Sequence, residues 1–131
     1  MTDIIETLKL EHRQIVAALD RLKNTGKESH FRVELYKDIL RKYILHTAKE
    51  LRLIYKHVLI ISDDRTSAID NILKANEKVI SILDRIIDEK DEKEDDHEKI
   101  KNLLMARITI EEEDVFPEYE KLKISKAGVP S

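Results

Sequence analysis

Apolar residues recur along most of the chain at alternating spacings of three and four, the period that holds one face of an α-helix against its neighbours. Four such stretches follow one another. Few helix breakers interrupt them, because one of the two Gly and one of the two Pro lie in the last four residues. The pattern predicts an all-α protein, folded as an up-down-up-down antiparallel four-helix bundle.

Polar residues mark where the predicted helices begin and end. Asp3 is suited to cap the first helix and Ser29 the second, because short polar side chains accept hydrogen bonds from the free N–H groups of a first turn. Two charged runs separate the later helices, residues 62–67 and 88–96. We expect the bundle to occupy residues 1–124, followed by a flexible C-terminal tail at 125–131.

Composition narrows the class of protein. The 131 residues suit one domain, and 39% of them are charged, with both signs interspersed and a net charge of −3, so no nucleic-acid surface is predicted. No stretch approaches the roughly 20 apolar residues of a membrane span, and no export signal is recognisable, so we expect a cytoplasmic protein. Abundant Lys, Glu and Ile, a single glutamine and no cysteine favour a thermophilic source.

Polar residues interrupt the apolar face of the second helix at its centre. The face runs through Ile39, Tyr43, His46, Glu50 and Leu53. Because residues four apart lie on one side of a helix, His46 and Glu50 can direct an imidazole and a carboxylate at the same point. Burying these groups unpaired would cost several kcal/mol, on the order of 2–7, so they require a metal ion, a counter-charge or a hydrogen-bond network.

The other predicted helices also carry a polar residue on the apolar face. These are His12 in the first helix, Asn76 in the third, and Arg107 with Glu111 in the fourth. Taken alone, His12 could be a core histidine bonded to a neighbour, and Glu111 could lie on a solvated helix face, as we expect for the acidic residues at 112–114. Tyr43 is predicted to pack in the core with its hydroxyl directed at this polar cluster.

An internal repeat relates the two halves of the chain. Residues 11–22 align with residues 75–86, which pairs His12 with Asn76. The second and fourth helices align in the same way: His46 with Arg107, Glu50 with Glu111, and Tyr55 with Phe116. The two halves therefore look like two copies of one helical hairpin.

These features resemble the hemerythrin-like, or HHE cation-binding, family over nearly the whole chain. The matching elements are Glu-His at the start of an amphipathic helix, His-x-x-x-Glu followed five residues later by an aromatic, and an acidic run at 111–114 that leads into Phe116-Pro117. In that family a four-helix bundle holds two irons, bridged by two carboxylates and completed by histidines. By this resemblance, His12 and His46 match the histidines of one iron, while Glu50 and Glu111 match the bridging carboxylates.

The chain departs from the family where the histidines of the other iron should lie. Asn76 and Arg107 occupy those positions. An amide is a poor iron ligand, and a permanently protonated guanidinium cannot bind a metal at all. We therefore expect one metal position to be retained, and Arg107 to engage Glu50 and Glu111 in place of the second cation. The alternative is that Arg107 extends to solvent beside its apolar neighbours.

The resemblance implies a protein that binds one divalent metal, iron in the first place, with manganese or zinc as alternatives. Because a single metal cannot share the two-electron reduction of dioxygen as a di-iron pair does, reversible oxygen carriage is not expected. A small diatomic molecule is the further ligand that the family suggests. The competing hypothesis is a metal-free, degenerate bundle that serves as a structural or protein-interaction module. No catalytic residues are predicted, and a ferritin-like site at Glu94-x-x-His97 would need a second such element that the chain lacks.

Overall fold

The computed structural model describes residues 3–26, 31–61 and 66–128, and over these ranges it contains helices and no strand. The helices are α1 (Ile4–Lys23), α2 (Phe31–Glu50), α3 (Lys56–Ile61), α4 (Thr66–Glu89), α5 (Asp96–Ile110) and α6 (Phe116–Gly128). A π-helical turn at Leu51–Tyr55 joins α2 to α3, and a second at Glu111–Val115 joins α5 to α6. The predicted cap Ser29 and residues 62–65 of the first charged run lie outside the described residues.

The helices form the predicted up-down-up-down four-helix bundle. Helix α1 packs against α2 and α5, and α4 packs against the same two helices, so each helix has two neighbours around a common interior. The longer helices α2–α3 and α5–α6 continue past their π turns, where α3 packs on α6. Among the described residues, no helix is long and apolar enough to cross a bilayer.

The interior consists of two hydrophobic cores with a polar layer between them. One core joins the middle of the bundle to the end that holds the α4–α5 loop, and includes Leu19, Tyr36 and Leu83. The other lies toward α3 and α6, and includes Leu8, Ile54 and Phe116. The polar layer consists of the polar residues on the four apolar faces, all of them buried: His12, His46, Glu50, Asn76, Arg107 and Glu111.

The predicted apolar faces of α1, α4 and α5 are buried as expected. For the second helix, the prediction that Leu53 lies on the buried face was wrong. That residue is half-buried, whereas Ile54 and Tyr55 are fully enclosed. The cause is the π turn, in which Lys56 N–H donates to Leu51 O, five residues back. This wider turn adds a residue to the helix and moves the buried positions one place along the chain.

Helix ends follow local chemistry. Asp3 caps α1 as predicted, its side chain accepting a hydrogen bond from Ile5 N at 3.3 Å. Helix α4 ends at Glu89, and the next residue, Lys90, has a φ of 51°, in the left-handed region that terminates helices. Pro117 does not end the last helix, because α6 continues through it to Gly128.

The π turn at Glu111–Val115 ends two residues before that proline, close to the place where an α-helix would otherwise require the N–H that proline lacks. Residues 129–131 lie outside the described residues, so the flexible tail from 125 stays a prediction.

Candidate metal centre

Four of the polar residues between the two cores direct ligand atoms at one point. His12 comes from α1, His46 and Glu50 from the last turn and a half of α2, and Glu111 from the start of the second π turn. One nitrogen or oxygen atom from each of these side chains lies within 4.8 Å of the others. None of the four residues is more than 3% exposed. These are the four residues that the sequence analysis proposed as ligands.

The separations between these atoms fit a shared cation. His12 Nε2 lies 2.9 Å from Glu111 Oε1 and 3.4 Å from Glu50 Oε2, and His46 Nε2 lies 3.1 Å from that same Glu50 oxygen. Ligands about 2.1 Å from one metal ion stand about 3.0–3.4 Å apart at octahedral to tetrahedral angles. The donor set of two imidazoles and two carboxylates suits iron, manganese or zinc.

Three atoms of this group are buried without a hydrogen-bond partner: His12 Nε2, His46 Nε2 and Glu50 Oε2. Buried polar atoms are nearly always satisfied, so three unsatisfied atoms around one point require an explanation. A cation placed among them would satisfy all three at once. The residues present therefore fit a metal ion of the kind that the sequence analysis proposed.

The other nitrogen of each histidine is bonded to a carboxylate that the sequence analysis did not select. His46 Nδ1 lies 2.8 Å from Glu11 Oε1, and His12 Nδ1 lies 3.2 Å from Glu112 Oε2. Glu112 was predicted to be exposed, but its side chain is only partly exposed, at 32%, and it contacts a candidate ligand. The sequence signal that could have found these two carboxylates is adjacency, because Glu11 directly precedes the candidate ligand His12 and Glu112 directly follows the candidate ligand Glu111.

Arg107 contacts both carboxylates. Its Nη1 donates to Glu111 Oε1 at 2.8 Å, and its Nη2 donates to Glu50 Oε1. The side chain is 1% exposed, so it does not extend to solvent. Its Nε donates to Asn76 Oδ1, which also accepts a hydrogen bond from the Tyr43 hydroxyl. These three hydrogen bonds of the guanidinium thus go to residues that the sequence analysis had grouped with Arg107.

Two aromatic residues enclose the layer on the side of α3 and α6. The ring of Phe116 stacks on that of His12, with 5.9 Å between centroids and 5° between planes. The Tyr55 hydroxyl, also buried, donates to Glu111 Oε2. These are the two aromatics that the internal repeat aligned. Together they fix the orientation of one candidate ligand from each of two helices.

The electrostatics of the layer favour positive charge. Burial alone would lower the pKa of His12, but the Glu111 and Glu50 carboxylates beside its Nε2 outweigh burial and raise the pKa to about 9. Burial, followed by the neighbouring Glu50, raises the pKa of Glu111 to about 7. For Glu50 burial is opposed by the Arg107 guanidinium, which holds that pKa well below 4.5. The carboxylates therefore attract either protons or a metal ion to the space between them.

The remaining candidate, the Glu94-x-x-His97 element, lies away from this cluster. His97 Nε2 donates to the backbone carbonyl of Leu19 at 2.6 Å, and Glu94 is exposed. The one group of His, Asp and Glu residues with metal-binding spacing, within the ranges that the structure describes, is that of His12, His46, Glu50 and Glu111.

Comparison with known proteins gives one match. The family model of the hemerythrin HHE cation-binding domain matches residues 3–119, which is most of the chain. No curated protein matches the chain, and no solved structure matches it.

Proposed function

This chain belongs to the hemerythrin HHE cation-binding domain family, and we propose that it binds one divalent metal ion through His12, His46, Glu50 and Glu111. The observation that carries this proposal is the trio of buried atoms without hydrogen-bond partners, His12 Nε2, His46 Nε2 and Glu50 Oε2, gathered at one point. Iron is the metal we favour because the family usually binds it, and manganese and zinc suit the same ligands.

In this proposal the histidines and the glutamates have different roles. The two imidazoles supply neutral nitrogen ligands, and the two carboxylates supply the negative charge that a divalent ion requires. If the ion is iron, it supplies one-electron redox chemistry, whereas two irons are needed to share the two-electron reduction of dioxygen. We therefore propose metal binding, with a small diatomic molecule as the candidate further ligand, and not reversible oxygen carriage.

We further propose that Arg107 takes the place of the second cation of the family. The support is its position: the internal repeat aligns Arg107 with His46, and the guanidinium bonds to both Glu50 and Glu111. A guanidinium keeps its charge at every physiological pH and offers donors in a fixed plane, so it can neutralise the carboxylates without a bound ion. Asn76, at the position of the other lost histidine, accepts the Nε–H of the same group.

A second candidate function is a metal-free bundle with a structural or protein-interaction role. It is favoured by the same guanidinium together with the His12 pKa of about 9, because a protonated His12 and Arg107 can balance both carboxylates with no metal. The cytoplasmic location and the thermophilic source stay predictions.

Metal analysis distinguishes the two functions. Untagged protein is stripped with a chelator, loaded separately with Fe²⁺ (without oxygen), Mn²⁺ and Zn²⁺, desalted, and analysed for metal per chain. We expect one ion per chain, and none in His46→Ala, whose apolar neighbours should preserve the bundle. His57→Ala is the matched control, because His57 is exposed and outside the cluster.

Two irons per chain with the absorption of an oxo bridge would refute the single-metal proposal. Full metal content in His46→Ala would show that the ligands are elsewhere. A wild-type chain that retains none of the three ions would support the metal-free function.

The replacement by Arg107 has its own test. Asn76→His combined with Arg107→His restores both family histidines, so this double variant should bind two ions per chain. Asn76→His alone should still bind one, because the guanidinium remains beside the carboxylates. A double variant that folds, as judged by circular dichroism, and still binds one ion would contradict the replacement.

A further inference from the structure

We propose that Glu11 and Glu112 are positioning residues of the metal centre, each holding one histidine so that its Nε2 faces the ion. This inference rests on the proposed function, since it concerns the affinity of that same site. Neither residue touches the space between the ligands, and each acts through the imidazole that it contacts.

The hydrogen bonds set the tautomer of each imidazole ring. Glu11 Oε1 lies 2.8 Å from His46 Nδ1, and Glu112 Oε2 lies 3.2 Å from His12 Nδ1. A carboxylate can only accept, so Nδ1 of each ring carries the hydrogen and donates it. In a neutral imidazole the lone pair is then on Nε2, the atom that faces Glu50 and Glu111. The two carboxylates thus select the tautomer that can bind a metal at the centre.

The surroundings of these two residues favour orientation over core packing. His46 and Glu11 line a surface cleft between α1 and α2, while His12 and Glu112 line another between α1 and α5. The side chains of Glu11 and Glu112 are 21% and 32% exposed, far more than the ligands they contact. In the cleft between α1 and α2, Lys49 Nζ lies 2.5 Å from the second oxygen of Glu11 and fixes that carboxylate in turn.

The internal repeat supplies an independent argument. The alignment that pairs His12 with Asn76 pairs Glu11 with Ala75, and the one that pairs Glu50 with Glu111 pairs Leu51 with Glu112. Each positioning carboxylate is therefore present where its partner is a histidine. Where that histidine is lost, the equivalent residue is Ala75 or Leu51, whose side chain cannot accept a hydrogen bond. That distribution is expected if the carboxylates serve the imidazoles, and it is not expected of surface acids placed for solubility.

The test measures Zn²⁺ affinity by competition with a chelator. Glu11→Ala and Glu112→Ala should each weaken Zn²⁺ binding by about 10–100-fold, the usual effect of removing a partner of a metal-bound histidine. Glu11→Gln and Glu112→Gln should lose less, because the amide oxygen can still accept from Nδ1–H. Glu113→Gln is the matched control, since it removes the same charge from an exposed neighbour and should leave the affinity unchanged.

A second readout separates positioning from a merely structural role. Ring ¹⁵N spectra of the Zn²⁺-loaded protein should show Nδ1–H and a metal-bound Nε2 for His12 and His46, and in each Ala variant faster exchange of the affected Nδ1 hydrogen. Zinc bound through Nδ1 would overturn the inference. So would Ala variants that lower the free energy of unfolding of the metal-free protein yet keep wild-type Zn²⁺ affinity, and in that case the proposed function would stand. A wild-type chain that binds no Zn²⁺, Mn²⁺ or Fe²⁺ would overturn both.

Discussion

Two arginines are buried among the described residues, and each lies in a cluster with glutamate and tyrosine. Arg107 contacts Glu50 and Glu111 in the middle of the bundle. Arg32, in the first turn of α2, contacts Glu92 in the loop between α4 and α5, and the Tyr36 hydroxyl donates to the same carboxylate at 2.7 Å. The two clusters are alike in composition, and the difference between them is in how completely their polar atoms are bonded.

Every bond that the Arg32 cluster needs is made within the chain. Arg32 Nε donates to Glu92 Oε1 at 2.8 Å, while Nη1 donates to the carbonyls of Leu22 at 2.7 Å and Thr25 at 2.8 Å. The guanidinium thereby binds free carbonyls at the end of α1 and ties them to the α4–α5 loop. No buried side-chain atom of this cluster is without a partner among the described residues.

The Arg107 cluster is adjacent to three buried atoms that have no partner. A buried arginine paired with a carboxylate is thus compatible with a purely structural role, as Arg32 shows, and does not by itself indicate a functional site. Unsatisfied acceptors around one point are, in contrast, atoms that a bound cation would satisfy, because buried polar atoms are nearly always bonded.

The largest expected effect is that of Arg107→Leu. Removing this guanidinium leaves Glu50 and Glu111, both 0% exposed, without their shared cation. The free energy of unfolding of the metal-free protein should fall by roughly 3–5 kcal/mol at neutral pH, the order found when one partner of a buried ion pair is removed. Urea denaturation measures this, and the loss should shrink in acid as the carboxylates take up protons. A variant as stable as the wild type would show that Arg107 does not compensate them.

Arg32→Leu should cost less, about 1–3 kcal/mol by the same measurement. The side chain of Glu92 is 23% exposed, so water can replace part of what the guanidinium supplied. The affinity for Zn²⁺ should not change, because this cluster is structural. A loss of metal affinity comparable to that of the Glu112→Ala variant would erase the distinction between the two clusters.

The smallest expected effect concerns acid pH at the Arg32 cluster. Burial raises the pKa of Glu92, but hydrogen bonds from Arg32 and Tyr36 outweigh it and hold the pKa below the ordinary 4.5. A carboxyl whose pKa is lower in the folded state contributes stability above its unfolded pKa, and loses it as pH falls through the folded value. Glu92→Gln should therefore cost about 1 kcal/mol at pH 7.

That difference from the wild type should narrow below pH 4.5. Unfolding at a series of pH values, with the exposed Glu94→Gln as control, tests this. A difference that stays constant down to pH 3 would mean that the Glu92 charge contributes nothing.

Much of the fold could be predicted from the sequence because apolar periodicity reports burial directly. Thus His12, Asn76 and Glu111 were placed correctly on buried faces, although they are polar. The π turns could not be predicted, since no residue type marks them: Pro117 follows one, and nothing comparable follows the other. The error at Leu53 came from that omission.

The surroundings of the site were predicted less well than its candidate ligands. Glu92 and Glu112 lie in charged runs, and Glu11 lies two residues from both Lys9 and Arg13, so a half-buried acid at these positions cannot be told from a solvated one. Asp96 is a stronger case: it ends the acidic run that was predicted to be loop, yet it is 1% exposed and accepts a hydrogen bond from Arg85 at 2.6 Å. Which acid of a run turns inward depends on the partner that a different helix presents.

The π turns also bear on how the two halves of the chain correspond. A π turn is a single wide turn within an α-helix, in which an N–H bonds to the carbonyl five residues back. The hydrogen bonds that define the two turns, Lys56 N–H to Leu51 O and Phe116 N–H to Glu111 O, lie within one residue of equivalent positions in the repeat. Both halves of the internal repeat therefore place a wide helical turn at a candidate carboxylate ligand, Glu50 in the first half and Glu111 in the second.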